Sequence, residues 1–192
     1  VEIVPELVQK SRANARAAGV AERTEFREQD LFTTDLSRAT VVTMYLLPEV
    51  NLQLRPRLLR LAPGTRIVSH DWDMGEWLPD RSRTLDVPDK AIGREKVSRV
   101  HLWIVPAQVQ GRWCAGDARL DITQRFQRFS ASIETAGAAQ PAAVFDGRIE
   151  ARELYAEGLV GVTQGARLRL VGESLELLAL RGPGAPTTGR AF

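Results

Sequence analysis

Apolar residues recur along this chain in two different rhythms, and the change falls near residue 106. In the first half, short apolar runs alternate with segments of helical spacing. Val1-Glu2-Ile3 reads as a strand that leads into a helix at Pro5, where a missing N–H is tolerated. Glu6 suits the positive end of that helix. Leu7, Val8, Ala15 and Ala18 give it an apolar face, and Gly19 is placed to close it. TEFREQDLF at 24–32 reads as a short strand ending near Asp30. ATVVTMYLL at 39–47 is a more apolar, β-branched strand of the kind covered on both faces. A helix over 49–62 follows, with Leu52, Leu58, Leu59 and Leu61 as apolar surface, and Pro56 is expected to kink or restart it. Pro63-Gly64-Thr65 then turns the chain into RIVSHDW, another buried-looking strand. Strand, helix, strand, strand, helix, strand is the order of an open α/β sheet.

Beyond a polar stretch at 79–96 the rhythm becomes twofold. VSRVHLWIVPA at 97–107 is a long strand closed by Pro106, and no helical pattern follows it. Residues 118–134 alternate through Leu120, Ile122, Gln124 and Phe126, then shift phase near Phe129, which predicts a bulge or bend. Asp146-Gly147 between short apolar runs is a hairpin signal, and Gly172-Glu173 is a second. RGPGAPTTGRAF has the composition of a disordered tail. The predicted organisation is an α/β region over 1–106, an antiparallel β module over 107–181 and a tail over 182–192.

Composition refines this picture without overturning it. Hydrophobic content of 44% and charged content of 26% are ordinary for a soluble globular chain. The net charge is +2, and of 26 basic residues all but Lys10, Lys90 and Lys96 are arginine. They are dispersed, so they read as a solvated surface and the expectation is no nucleic-acid partner. Cys114 is the single cysteine, which excludes an internal disulfide and a cysteine-based zinc site. His70 and His101 are too few to build a metal cluster, so no metal is expected. No apolar run approaches roughly 18 residues, so no membrane span is predicted, and a reducing, cytoplasmic setting fits.

Candidate chemistry lies at strand ends, because ligands of open α/β sheets bind beyond the carboxyl ends of the strands. Glu2 ends the first strand, where a carboxylate can accept both hydroxyls of a ribose. Asp30 ends the second, where it can accept a hydrogen bond from an adenine amino group while the Leu31 N–H meets a ring nitrogen. Tyr45 to Glu49, YLLPE, follows the third strand, where the reacting end of a ligand would lie. Each carboxylate has a plainer role as a helix cap or a solvated loop group. The three positions together point to a nucleoside site.

Glu2 with its helix, QDL at 29–31, MYLLPEVN at 44–51, LAPGTRIVSHDWDMGEW at 61–77 and Pro79-Asp80 carry a resemblance. Over about residues 1–106 the chain resembles class I S-adenosylmethionine-dependent methyltransferases. It is most similar to the branch of mitochondrial protein-lysine methyltransferases acting on the ATP synthase c-subunit and the adenine nucleotide carrier. The β module resembles C-terminal extensions of bacterial relatives. The resemblance implies a seven-stranded sheet in which Glu2 binds the cofactor ribose and Asp30 and Leu31 flank adenine. It implies that Tyr45 and Pro48 shape the channel for a methyl acceptor, either a protein lysine or a small molecule. For a lysine, Glu49 and Tyr45 are the groups nearest to help it shed a proton, and Glu49 has an alternative role as a helix cap. His70 and Asp71 end the next strand at the channel wall; Trp72 and Trp77 either line it or anchor the loop.

The family's first strand and Gly-rich loop would precede Val1, so the resemblance implies an incomplete, N-terminally truncated Rossmann-like sheet. The expectation is that this chain alone binds cofactor weakly or not at all, and completes its sheet through a missing segment, another polypeptide or an oligomer. Two other functions compete. One is a small-molecule or lipid methyltransferase, and the other a non-catalytic binding protein whose β module holds a ligand between Gln124, Phe126, Arg125 and Gln127.

Overall fold

The computed structural model describes residues 1–91, 95–135, 143–157 and 165–181. The chain divides into two compact units, Val1–Arg38 and the part from Ala39 onward. In the first, α1 (Pro5–Ala17) starts on Pro5 and ends as expected at Gly19, whose φ of 65° suits a residue without a Cβ. Val8 and Ala15 are its buried positions, two turns apart, while Leu7 stays exposed. Neither predicted flanking strand forms. Val1–Ile3 and residues 24–32 meet in a single parallel bridge, Glu2 with Glu28. The Glu2 N–H donates to the Arg27 carbonyl and the Gln29 N–H to the Glu2 carbonyl, both at 3.0 Å. Exposed Val1, Ile3 and Val4 explain the brevity, because little apolar surface is gained by extending the pair.

The second unit is mostly β. β1 (Val41–Met44), α2 (Pro48–Leu58) and β2 (Arg66–His70) form a parallel βαβ crossover. β3 (Arg81–Asp86) and β4 (Val97–Ile104) complete a four-stranded sheet of order β1-β2-β4-β3, antiparallel from β2 onward. The helix runs through Pro56, which sits so near its C-terminus that only the last turn lacks a donor. β3 lies inside the stretch read as a polar connection, because all six of its residues are exposed and no alternation betrays it.

β5 (Gly111–Ala115), β6 (Ala118–Arg125), β7 (Arg128–Thr135), β8 (Ala143–Glu150), β9 (Glu153–Glu157), β10 (Gly165–Val171) and β11 (Ser174–Arg181) follow as an antiparallel meander in sequence order. Leu120, Phe129, Phe145, Leu154, Leu168 and Leu175, one from each of β6 to β11, join a single buried cluster. One face of a six-strand run meets itself only if the sheet curls around its core. The predicted tail at 182–192 lies outside the described residues.

Two turn expectations are corrected. The phase shift near Phe129 is a hairpin and not a bulge, since Arg125 pairs with Arg128 and Phe126-Gln127 form a two-residue turn. Asp146-Gly147 is no turn but the middle of β8, paired with Ser130 and Phe129 of β7. A Cβ on Gly147 would lie 2.3 Å from the Tyr155 carbonyl and 2.5 Å from Cζ of Phe129. The glycine therefore makes room for an aromatic ring. The Gly172-Glu173 hairpin forms as expected, with Gly172 at φ 59°.

The two sheets of this unit share a buried seam. Trp77 and Trp103 are fully buried, and the Trp103 Nε1–H donates to the Trp77 carbonyl at 2.7 Å. Phe126, at φ 55°, stacks on Trp77 and lies 5.4 Å beneath the Arg55 guanidinium. The Gln127 amide donates to the Leu78 carbonyl at 2.7 Å. The segment between β4 and β5 is buried too, with Val105, Ala107 and Val109 wholly inaccessible.

Candidate functional site

The expected site residues fall into two groups, one in each unit. In the first unit the parallel bridge puts the ends of two extended segments side by side, and Glu2 and Asp30 lie at those ends. Oε1 of Glu2 accepts hydrogen bonds from the Ile3 N–H at 2.8 Å and the Val4 N–H at 3.0 Å, which secures the chain entering α1. Oδ1 of Asp30 accepts from the Phe32 N–H at 2.8 Å, and the Asp30 carbonyl accepts from the hydroxyls of Thr33 and Thr34. Each carboxylate thus spends one oxygen on its own backbone, and the second has no hydrogen bond among the described residues. Leu31 is half-buried beside them.

In the second unit Tyr45, Pro48, Glu49, His70 and Asp71 gather at the carboxyl ends of β1 and β2. The Tyr45 ring is exposed and tilted against the His70 imidazole, with centroids 4.4 Å apart. Pro48 and Glu49 open α2, so the Glu49 carboxylate faces the positive end of the helix without capping it by a side-chain hydrogen bond. Asp71 adopts φ 64°, a conformation aspartate tolerates better than most side chains. Burial pushes its carboxyl up, but hydrogen bonds from Lys90 and the Arg99 N–H outweigh this and hold it below the ordinary value. Lys90 Nζ lies 2.6 Å from Oδ2, the Arg99 N–H donates to Oδ1 at 2.8 Å, and His70 Nε2 is 3.7 Å from Oδ1. Asp71 is therefore a clamp tying the end of β2 to β4 and to the segment carrying Lys90.

Two positions escaped the sequence reading. Asn51 is fully buried on α2, and its amide reaches the Ser69 hydroxyl at 3.2 Å, the Trp72 carbonyl at 3.3 Å and the Asp73 carbonyl at 3.2 Å. It fixes the loop that leaves β2 below His70 and Asp71. Its signal is an amide in the same stripe as buried Leu54 and Leu58. Lys90 left no such signal, because its partner Asp71 lies 19 residues earlier in the chain. Trp72 is exposed on that loop, whereas Trp77 belongs to the core.

Residues 1–81 match the family described as the ANTKMT methyltransferase domain. The chain is 44% identical over 80 residues to a protein-lysine N-methyltransferase of Saccharolobus islandicus strain REY15A. That alignment covers 41% of this chain and 50% of the relative, so the chain spans about half the relative's length. It is also similar to a solved RNA methyltransferase of Salinibacter ruber in complex with S-adenosyl-L-homocysteine. There the identity is 51%, the cover 56% of this chain and 65% of the other, and the TM-score 0.48.

Proposed function

We infer that residues 1–81 are a portion of a methyltransferase domain of the ANTKMT type, and that the protein transfers a methyl group from S-adenosylmethionine to a protein lysine. The match of those residues to the family carries this reading. The curated relative, named a protein-lysine N-methyltransferase, supports the choice of acceptor. Within the reading, residues 1–106 form an incomplete Rossmann-like sheet, residues 107–181 an appended β module and residues 182–192 a tail, in a cytoplasmic protein.

The residues of the first unit fit a nucleoside. Glu2 and Asp30 sit at the ends of two bridged segments, each carboxylate with one oxygen left to accept from a ribose hydroxyl or an adenine amino group, and Leu31 adds apolar surface. Bound S-adenosylmethionine supplies an electrophilic methyl group on a sulfonium. The protein's task is then to align the acceptor nitrogen and remove its proton before attack. Glu49 is an exposed carboxylate able to take that proton, the exposed Tyr45 hydroxyl can assist by accepting a hydrogen bond from the amine, and Pro48 and His70 shape the approach beside them. Asp71 holds its loop in place. β1 keeps one edge unpaired among the described residues, so the 192-residue polypeptide alone is proposed to hold cofactor weakly. Low-micromolar binding by calorimetry counts against that part of the reading.

Amide NMR titration with S-adenosylmethionine tests the cofactor site. Shifts at Glu2, Asp30 and Leu31, lost in Glu2→Ala, are expected; no shift at millimolar cofactor overturns it. Labelled methyl transfer by the protein in its full natural length tests the acceptor, with Tyr45→Phe and Glu49→Gln lowering the rate onto lysine. Methylation of a lipid or small molecule with no transfer to lysine favours the competing acceptor. A ligand held inside the β module has less support, because the meander's core is apolar and Gln124 is bound to the Val109 N–H and the Ala107 and Phe126 carbonyls.

A further inference from the structure

The strand register lines up residues that the sequence keeps apart. Arg125 of β6 faces Arg128 of β7, Arg128 faces Arg148 of β8, and Arg148 faces Tyr155 of β9. Three arginines therefore occupy neighbouring positions on the outer face of the meander. Like charges directly opposite each other across a sheet are destabilising. The two flanking arginines are compensated: Arg125 pairs with Glu76 at 2.8 Å, and Arg148 with Glu150 at 3.1 Å and the Tyr155 ring. The central Arg128 has no carboxylate partner among the described residues, although it is repelled from both sides.

The row lines a cleft. Arg125, Arg128 and Arg148 form the wall shared by two adjoining hollows of about 590 and 480 Å³. The larger adds the hydroxyls of Thr123 and Ser130, the Asp146 carboxylate and a floor made by Phe129 and Gly147. Thr123, Ser130 and Asp146 form the next cross-strand row on the same face. That hollow therefore carries three arginines against one acid. The smaller one continues to Glu76, Leu78, Pro79 and Asp80. Asp80 is pushed up by burial and accepts from the Ile104 N–H, so it is directed into the β4 strand.

We propose that this cleft binds a small phosphorylated molecule, with its phosphoryl group on Arg128 between Arg125 and Arg148. A guanidinium's planar fork matches two phosphoryl oxygens, and an anion there removes the repulsion along the row. Thr123 and Ser130 supply hydroxyl donors, and Asp146 accepts from a hydroxyl or amino group elsewhere on the ligand. The volume suits a small molecule. An extended polyanion is disfavoured because Glu76, Asp80, Asp146 and Glu150 surround the arginines. The arginine row lies on the meander, and the proposal does not depend on the methyltransferase reading.

The test is calorimetry of the full chain with pyrophosphate and with adenosine monophosphate, beside a single-stranded oligonucleotide of about ten nucleotides. Saturable binding of either small phosphate is expected. Arg128→Gln should weaken it by about tenfold or more, with Arg128→Lys intermediate because the charge remains and the fork is lost. The free Arg128→Gln protein should melt no lower than the parent, since one like charge has left the row. The proposal is overturned by no binding of either small phosphate, by binding that Arg128→Gln leaves unchanged, or by tighter binding of the oligonucleotide. A lower melting temperature for Arg128→Gln also overturns it, because the arginine then has a structural role. Thr123→Val provides a second variant, expected to weaken binding with the melting temperature unchanged.

Discussion

The ring of Phe126 stacks on that of Trp77 with centroids 6.2 Å apart and planes 14° from parallel, while the Phe126 backbone holds φ at 55°. A bulky residue at positive φ costs about 1–2 kcal/mol, and the stack offsets it. Phe126→Ala should destabilise the protein by about 2 kcal/mol, because it keeps the backbone cost and loses the ring. Phe126→Gly should lose less, since glycine removes the cost along with the ring. Urea unfolding of both variants checks the order, and an alanine variant as stable as the glycine one contradicts it.

Gly147→Ala should be among the most damaging small changes, costing about 3 kcal/mol or more. The new methyl must displace both the Tyr155 carbonyl, on the strand paired with β8, and the ring of Phe129. Thermal unfolding measures this, and a shift within error of the parent would refute the packing role.

Glu153 binds Arg167 and Arg169 and accepts a hydrogen bond from the Tyr155 hydroxyl at 2.7 Å. The Tyr155 hydrogen bond, then those from Arg169 and Arg167, hold its carboxyl at about 2 against an ordinary 4.5. A depressed carboxylate stabilises the fold fully above its unfolded value and loses that contribution as pH falls through the folded one. Between pH 4.5 and about 2 the parent should therefore lose stability that Glu153→Gln never had. The half-exposed arginines limit the difference at neutral pH to about 1 kcal/mol. Unfolding midpoints of parent and variant should converge near the lower end of that window.

Asn51→Ala should cost about 2 kcal/mol, because it orphans the buried Ser69 hydroxyl and frees the Trp72 and Asp73 carbonyls. It should also raise amide exchange over residues 71–74 while leaving the meander protected. Uniform loss of protection would mean that Asn51 supports the whole unit and not the loop after β2.

How much of this could be read from residues depends on how local each cause is. The ends of α1 were legible because Pro5 and Gly19 act on their own backbone. The Gly172 hairpin was legible for the same reason. Asp146-Gly147 misled because the glycine answers to Phe129 on a neighbouring strand. β3 was invisible because both of its faces meet solvent, so no apolar alternation marks it. In the candidate site, the position of Glu2 and Asp30 at the ends of two extended segments followed from pattern. The Asp71–Lys90 pair and the arginine row depend on register, which no periodicity in a single strand reports.

The buried join between β4 and β5 has a consequence for how this molecule tolerates change. The Ala107 N–H is bonded to the Ala151 carbonyl at 2.7 Å, and the Gly64 N–H to the Val105 carbonyl at 2.9 Å. An epitope spliced between Val105 and Ala107 would have to be accommodated inside the molecule. The same epitope at the exposed Gly116-Asp117 turn would hang in solvent. The place where the chain's pattern changes is thus the worst site for an insertion, and a tight turn a few residues later is a far better one.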